Sequence, residues 1–145
     1  MHAISAVLAG SQGRLQTRLE QVARAITDAV EGDRCWICRI DGELIRTLAG
    51  VAMVLADPDH TPLPISKGLV GRCAREAKTI CVGDVMQEPD YYAATALTRS
   101  EVCAPIKRDG KVVGVINVEA NRVSAFGRAE QHVVEAVAEL IAPHL

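Results

Sequence analysis

Aromatic residues are scarce in this chain of 145 residues: one Trp, two Tyr and one Phe make up 3% of the sequence. So few aromatic side chains nearly exclude the stacking surfaces that bind the bases of single-stranded nucleic acids. Since 49% of the residues are hydrophobic, the core must be built from Val, Ile, Leu and Ala instead. This length and hydrophobic content are typical of one folded domain and exclude a disordered chain.

An excess of charge of either sign is also absent. The 16 basic and 18 acidic residues give a formal net charge of -2, so nothing indicates binding to nucleic acid or to anionic lipid. No apolar run approaches the length that spans a bilayer, and Met1–Gly10 lacks the cationic start of a signal peptide. We therefore expect a soluble cytoplasmic protein with no nucleic-acid or membrane partner, in which residues 1–10 form a tail and residues 11–145 a single domain.

The five cysteines are an odd number without a secretory signal, which argues against a disulfide framework. Cys35 and Cys38 have the spacing of many zinc and redox sites, but residues three apart on a strand point to opposite faces. The four histidines are scattered, and only His60, in a proline-containing loop, merits a test as a ligand. We expect reduced thiols packed in the core, with no metal and no cofactor.

Helical and strand periodicities alternate along the chain. Apolar residues recur at steps of three and four in the first and last helical segments, and Asp-Gly pairs interrupt two segments with strand character. This order predicts an α+β domain built on a single sheet. In chain order the predicted elements are helix 11–31, strands 34–40 and 43–48, extended segment 63–65, helix 68–77, strand 79–82, an irregular connection 84–100, strands 102–106 and 112–119, and helix 127–144.

A set of short motifs gives the chain a resemblance to a known family. They are Leu63–Arg72, Val82–Val85, Arg99–Ile106, Gly114–Glu119 and Ala125–Phe126, and in this order and spacing they resemble a GAF domain from about residue 15 to the end. The resemblance implies a central antiparallel sheet with the N- and C-terminal helices on one face and a ligand pocket on the other. It also implies a non-enzymatic sensory domain that binds a small molecule and transmits ligand occupancy through its terminal helices.

The signatures of individual GAF branches are missing. Free methionine-R-sulfoxide reductases are similar overall, but their reactive cysteines would fall near Pro62 and Val70 and within residues 84–100, a connection without cysteine. Because this connection has no cysteine, the chain also lacks the cysteine that bilin-binding members place there. The signature of cyclic-nucleotide-binding members is not present either. Two alternatives stay open: a divergent reductase that uses Cys38, Cys81 or Cys103, and a ligand-free dimerisation module.

Alternation along the strands indicates where a ligand would bind. In the last strand Val113, Val115, Asn117 and Glu119 share one face, while the opposite face, from Val112 to Val118, is small, apolar and suited to packing on helices. The resemblance places side chains of two other strands in the same layer, under a connection that carries two tyrosines. The candidate ligand-binding residues are Trp36, Cys38, Tyr91, Tyr92, Glu101, Cys103, Asn117 and Glu119.

The two carboxylates of this set determine the chemistry of the ligand. An ionised carboxylate only accepts hydrogen bonds and is costly to bury unpaired, so we expect an unidentified small molecule with an ammonium or amide donor. The alternative is that Glu101 and Glu119 face solvent or pair with Arg99 or Arg122.

Two sequence patterns near this region have simpler explanations. Gly68-Leu69-Val70-Gly71 before a helix lacks the remaining residues of a phosphate-binding loop and is typical of a tight turn. No serine stands in the strand-turn-helix motif of a serine hydrolase, so we predict no catalytic residue.

The terminal helices carry more apolar surface than one sheet contact requires. Leu15, Leu19, Val22 and Ile26 form one seam, and the final helix has two adjacent stripes. We expect a homodimer through these helices, because a two-fold interface uses the same patch on both subunits. The alternative is that one chain buries both stripes, which are Val133/Val137/Leu140 and Val134/Ala138/Ile141.

Overall fold

One antiparallel sheet forms the centre of the protein in a computed structural model that describes residues 2–9, 14–52, 62–89, 91–92 and 95–145. Its strands in that part of the chain are β1 (Arg34–Asp41), β2 (Leu44–Val51), β3 (Leu63–Pro64), β4 (Ile80–Val82), β5 (Ser100–Arg108) and β6 (Lys111–Ala120). They lie in the order β3-β2-β1-β6-β5-β4, and each neighbouring pair is antiparallel. The α-helices are α1 (His2–Ala9), α2 (Leu15–Val30), α3 (Gly68–Glu76) and α4 (Arg128–Ile141).

Each face of the sheet has its own hydrophobic cluster. Apolar residues of α1, α2 and α4 pack on one face, whereas α3, β4 and the segment around Val85 pack on the other. The predicted α+β class is confirmed, with the terminal helices together on one face. Side chains on the second face are therefore enclosed by α3 and by the connection that follows β4.

The second hairpin turns at its Asp-Gly sequence, whereas the first turns one residue after its own. In the second hairpin Asp109 and Gly110 both have positive φ, 53° and 78°, as a type I′ turn requires. In the first hairpin Asp41 already pairs with Leu44, so the loop is Gly42–Glu43, one residue later than the sequence pattern predicts.

A β-bulge changes the alternation at the start of β6. The β5–β6 register shifts between Ile106 and Lys107, which leaves Val113 as the additional residue on β6. As a result Val113 packs on the helix-bearing face and Val112 on the α3 face, the reverse of the prediction. The predicted alternation holds for the second half of the strand.

The first ten residues include a structured element. Helix α1 lies within the expected tail, and its Ile4 and Leu8 are buried against α2 and α4. The guanidinium of Arg18 donates a hydrogen bond to the backbone carbonyl of Leu8 at 3.1 Å. Part of the expected tail thus belongs to the helix layer.

Within one chain the terminal helices bury most of their apolar residues. Leu19, Val22 and Ile26 of α2 are fully buried, as are Val134, Val137 and Ile141 of α4. Sequence reasoning assumed that one stripe would be left uncovered, and for these residues that assumption is wrong because α2, α4, α1 and the sheet pack together. The homodimer itself stays a prediction. None of the described helices combines the length and apolarity needed to cross a membrane.

Replacing Leu8 tests whether α1 is part of the core. We expect Leu8→Ala to lower the free energy of unfolding by about 2 kcal/mol or more, because it leaves a cavity between helices. Ser5→Ala, on the exposed side of the same helix, is the matched control and should have little effect. Urea denaturation measures both, and equal stabilities for the two variants would contradict the assignment.

Candidate functional site

Two glycines allow α3 to lie close to the segments around it. Gly68 begins the helix with φ of +72°, and a Cβ at Gly71 would lie 2.4 Å from the carbonyl oxygen of Ile65. A side chain at either position would strain the backbone or collide with it. These constraints support the tight turn that the sequence indicated.

Strand register brings the predicted polar residues together on the α3 face. Glu101 lies opposite Glu119, and Cys103 lies opposite Asn117. On the other side of β6, Arg34 pairs with Glu119 and Trp36 with Asn117. Since directly opposite residues point to the same face, one layer holds side chains from three adjacent strands.

A continuous set of short contacts joins these side chains, and we call it the acid cluster. Glu119 is its centre: one carboxylate oxygen accepts from the hydroxyl of Thr98, and the other accepts from the Asn117 amide at 2.9 Å. The Cys103 sulfur lies 3.1 Å from the Asn117 amide oxygen and 3.4 Å from a Glu101 oxygen. Every member is at most 4% exposed. The acid cluster comprises Arg34, Thr98, Glu101, Cys103, Asn117 and Glu119.

Arg34 supplies the positive charge of the acid cluster. Its guanidinium donates to the Thr98 hydroxyl at 2.9 Å and to the Asn121 side chain at 2.6 Å, and its Nε lies 3.8 Å from Glu119. Sequence reasoning missed Arg34 and Thr98. Arg34 could have been found, because residues 34, 36 and 38 alternate onto one face of β1.

Two buried carboxylates share a single buried cation. Burial raises the pKa of Glu101 well above its usual value, and the neighbouring Glu119 raises it further by charge repulsion and by hydrogen bonding. Burial beside Glu119 therefore favours the protonated form of Glu101, which can donate a hydrogen bond towards Glu119. In this state one carboxylate faces one guanidinium, and the buried cluster is electrically balanced.

The alternative placements of the two glutamates are wrong. Neither carboxylate faces solvent. Arg99 instead contacts Asp84 at 3.4 Å, and Arg122 donates to the backbone carbonyl of Glu31. Neither of these contacts involves Glu101 or Glu119.

Tyr91 covers the acid cluster. Its ring packs in the hydrophobic cluster under α3, and burial, followed by the nearby Glu119, raises the pKa of its hydroxyl to about 12. Among the described residues, neither this buried hydroxyl nor Nε of Arg34 has a partner within ordinary hydrogen-bond geometry, although the nearby Thr98 side chain partly offsets the rise in the pKa of Tyr91. Buried polar atoms without partners are rare and costly, so the region between Tyr91 and Arg34 has unused hydrogen-bonding capacity.

A cavity of about 220 Å³ opens on the outer side of Tyr91. Of the eight predicted site residues, Tyr91 and Tyr92 line it, whereas Glu101, Cys103, Asn117 and Glu119 lie buried beneath. The predicted site is therefore divided by the Tyr91 side chain. The cavity is lined by Ser66, Lys67, Gly68, Arg75, Tyr91 and Tyr92.

The two remaining predicted residues lie on β1. Trp36 is half-buried beside Asn117. Cys38 is buried opposite Val115, where burial raises the pKa of its thiol to about 12 although Thr47 hydrogen-bonds it. Both lie in the predicted layer but outside the acid cluster and the cavity lining.

The other thiols are also protonated. Burial raises the pKa of Cys35, the pKa of Cys81 and the pKa of Cys103, and it raises the pKa of Cys73 to about 12. Cys35 and Cys38 point to opposite faces, as predicted, since Cys35 packs on the helix side. The described residues contain no group of three His, Cys, Asp or Glu side chains that could hold a metal; His60 lies outside them.

The proton on Glu101 predicts how stability depends on pH. The pKa of Glu101 is higher in the folded than in the unfolded state. Its contribution to the free energy of unfolding is therefore fully present below the unfolded pKa and is lost as pH rises through the folded pKa. The Glu101→Gln variant carries no such proton. Between the unfolded and the folded pKa of Glu101, the free energy of unfolding of the variant should rise relative to that of the wild type by up to about 1.4 kcal/mol per pH unit.

Denaturation of both proteins from about pH 5 to about pH 9 measures this difference. Glu119→Gln should behave differently and lose about 3–5 kcal/mol at neutral pH, because it leaves Arg34 without its charge partner. A wild type and a Glu101→Gln variant that change in parallel with pH would contradict the assignment of the proton.

Known proteins of similar sequence and structure support this architecture. The free methionine-R-sulfoxide reductase of Saccharomyces cerevisiae is 32% identical over 80 residues, which are 54% of this chain and 44% of that protein. The chain spans about half the length of the curated relatives it matches.

Solved structures resemble nearly the whole chain at low identity. One is the free methionine-R-sulfoxide reductase of Neisseria meningitidis in complex with its substrate, with a TM-score of 0.85, 21% identity, and coverage of 97% of this chain and 82% of that one. Another is the GAF domain of the Acinetobacter phosphoenolpyruvate-protein phosphotransferase, with a TM-score of 0.84, 18% identity, and coverage of 98% and 87%. Identities this low show the fold alone.

The family follows from a third finding. The family model described as a GAF domain matches residues 15–145, which include all six strands of the described sheet and three of its four described helices. The chain belongs to the GAF domain family.

Proposed function

We propose that this GAF domain is a small-molecule sensor whose ligand places a hydrogen-bond donor against the acid cluster. The observation that carries the proposal is the burial of Glu101 and Glu119 with one guanidinium. The unpartnered Nε of Arg34 and hydroxyl of Tyr91 at the same place support it. A ligand that enters beneath Tyr91 would supply partners that the protein alone lacks.

The size of the cavity supports a small ligand. Its volume of about 220 Å³ lies below the roughly 300–1,000 Å³ of sites for drug-sized molecules. An ammonium group would take the place of the Glu101 proton, because its charge would balance the second carboxylate, and an amide N–H would donate a hydrogen bond to the same oxygens. The proposed ligand is therefore a small metabolite with a cationic or amide end.

The state of the thiols argues against a reductase. Relatives include free methionine-R-sulfoxide reductases, and thiol chemistry requires a thiolate. The pKa of Cys103, the thiol of the acid cluster, is raised well above its usual value by burial and then by Glu101. The exposed Cys81 pairs with Val102, which packs in the cluster on the helix side, so it points away from the site.

Contacts of Arg34 suggest how occupancy would reach the terminal helices. Arg34 begins β1 a few residues after α2 ends, and it hydrogen-bonds Asn121 in the loop between β6 and α4. A ligand that competes for Glu119 would alter this contact. The helix ends on the opposite face would then adjust, as a sensor requires.

A binding screen tests the ligand class. We expect amines and free amino acids, among them methionine, to raise the melting temperature, because a cation stabilises ionised Glu101 beside Glu119. Glu101→Gln should weaken the effect, while the exposed Glu43→Gln should not. Stabilisation by anions alone would refute the proposal.

A turnover assay tests the alternative function. With methionine-R-sulfoxide and dithiothreitol we expect no reduction by the wild type, because the thiols are protonated and buried or lie away from the site. Product formation that Cys103→Ser abolishes and Cys35→Ser retains would establish the reductase instead.

A further inference from the structure

The cavity outside Tyr91 has the opposite charge to the acid cluster beneath it. Two of its lining residues, Lys67 and Arg75, are cationic, and none of the described lining residues is acidic. Ser66, Tyr91 and Tyr92 add hydroxyl groups that can donate hydrogen bonds. The lining therefore suits an anion.

Both cations are available to a ligand. Glu76, the acid nearest to Arg75 in sequence, contacts Arg72 at 2.9 Å and Lys78 at 3.9 Å. Within the described ranges, Lys67 and Arg75 have no ion pair. The side chain of Lys67 does not cap α3 either.

Arg75 is held in position at the cavity. Its guanidinium donates one hydrogen bond to the backbone carbonyl of Ile65, which fixes the group while leaving further N–H donors unused. A guanidinium positioned in this way can bind a carboxylate through two parallel hydrogen bonds.

Tyr91 joins the two regions of opposite charge. It lines the cavity, and its hydroxyl is buried where Glu119 and Glu101 influence it. The cationic lining and the acidic cluster are thus separated by one side chain.

We propose that Lys67 and Arg75 form a carboxylate subsite, so that the sensed ligand is a small zwitterion. The inference rests on the proposed function: the ammonium end of the ligand lies against Glu101 and Glu119, and its carboxylate end lies in the cavity. A simple amine would leave the two cations without a partner. A simple anion would leave the second carboxylate of the acid cluster balanced only by its own proton.

Matched pairs of compounds, with and without the carboxylate, test the subsite. The pairs are L-methionine with 3-(methylthio)propylamine, and 6-aminohexanoate with hexylamine. The two zwitterions differ in the distance between their ammonium and carboxylate groups. Calorimetry should show that the double substitution K67A/R75A weakens binding of a zwitterion by about tenfold or more. Binding of the corresponding amine should stay within about twofold.

Two controls accompany the measurement. R108A/K111A also removes one arginine and one lysine charge, but from the β5–β6 hairpin, outside the cavity lining. This control should leave all affinities unchanged. If the K67A/R75A protein does not fold, the single variant K67A serves, because the Lys67 side chain is exposed and caps nothing.

The outcomes separate this inference from the proposed function. Equal weakening of zwitterion and amine, or no weakening of either, would overturn the carboxylate subsite. Amine binding that depends on Glu101 would leave the proposed function standing. If no zwitterion or amine bound the wild type, both would fail.

Discussion

The burial of two carboxylates beside a single guanidinium constrains the rest of this structure. A buried charge without a partner costs several kcal/mol, so Glu119 must be held where Arg34, Thr98 and Asn117 can reach it. That requirement constrains the register of β1, β5 and β6 and places Thr98, near the end of the connection between β4 and β5, beside Glu119. The strand register of the sheet and the pairing of the buried charges therefore depend on each other.

The two faces of the sheet pack different kinds of side chain. On the helix face, Val, Ile and Leu fill the interior, and α1 completes the layer over α2 and α4. On the α3 face the packed region is smaller and contains Cys103 and Tyr91 beside the polar side chains. A ligand site can exist there because less of the stability of the domain depends on that side.

Strand alternation predicted which polar side chains share a face within each strand, and the resemblance to GAF domains predicted that those faces meet in one layer. Glu101, Cys103, Asn117 and Glu119 lie where a period of two places them, since no bulge interrupts that half of β6. The same rule failed at Val112 and Val113, where an inserted residue reverses the faces. Bulges depend on tertiary contacts, so the local pattern gave no sign of it.

Contacts between distant segments were beyond the sequence argument. Nothing local connects Arg34 with Thr98, 64 residues away, and nothing indicates that Tyr91 would separate the acids from the cavity. The coverage of α2 and α4 by α1 was missed for a related reason. A short apolar segment resembles a tail until the surface that it covers is known.

The position of Tyr91 has a kinetic consequence. In the proposed sensor a ligand reaches Glu101 and Glu119 past the Tyr91 side chain, so binding would include a step that no increase in ligand concentration accelerates. The observed rate of binding would then reach a plateau as the ligand concentration rises. The height of that plateau would report how often the Tyr91 side chain moves aside, a property of the empty domain rather than of the molecule it senses.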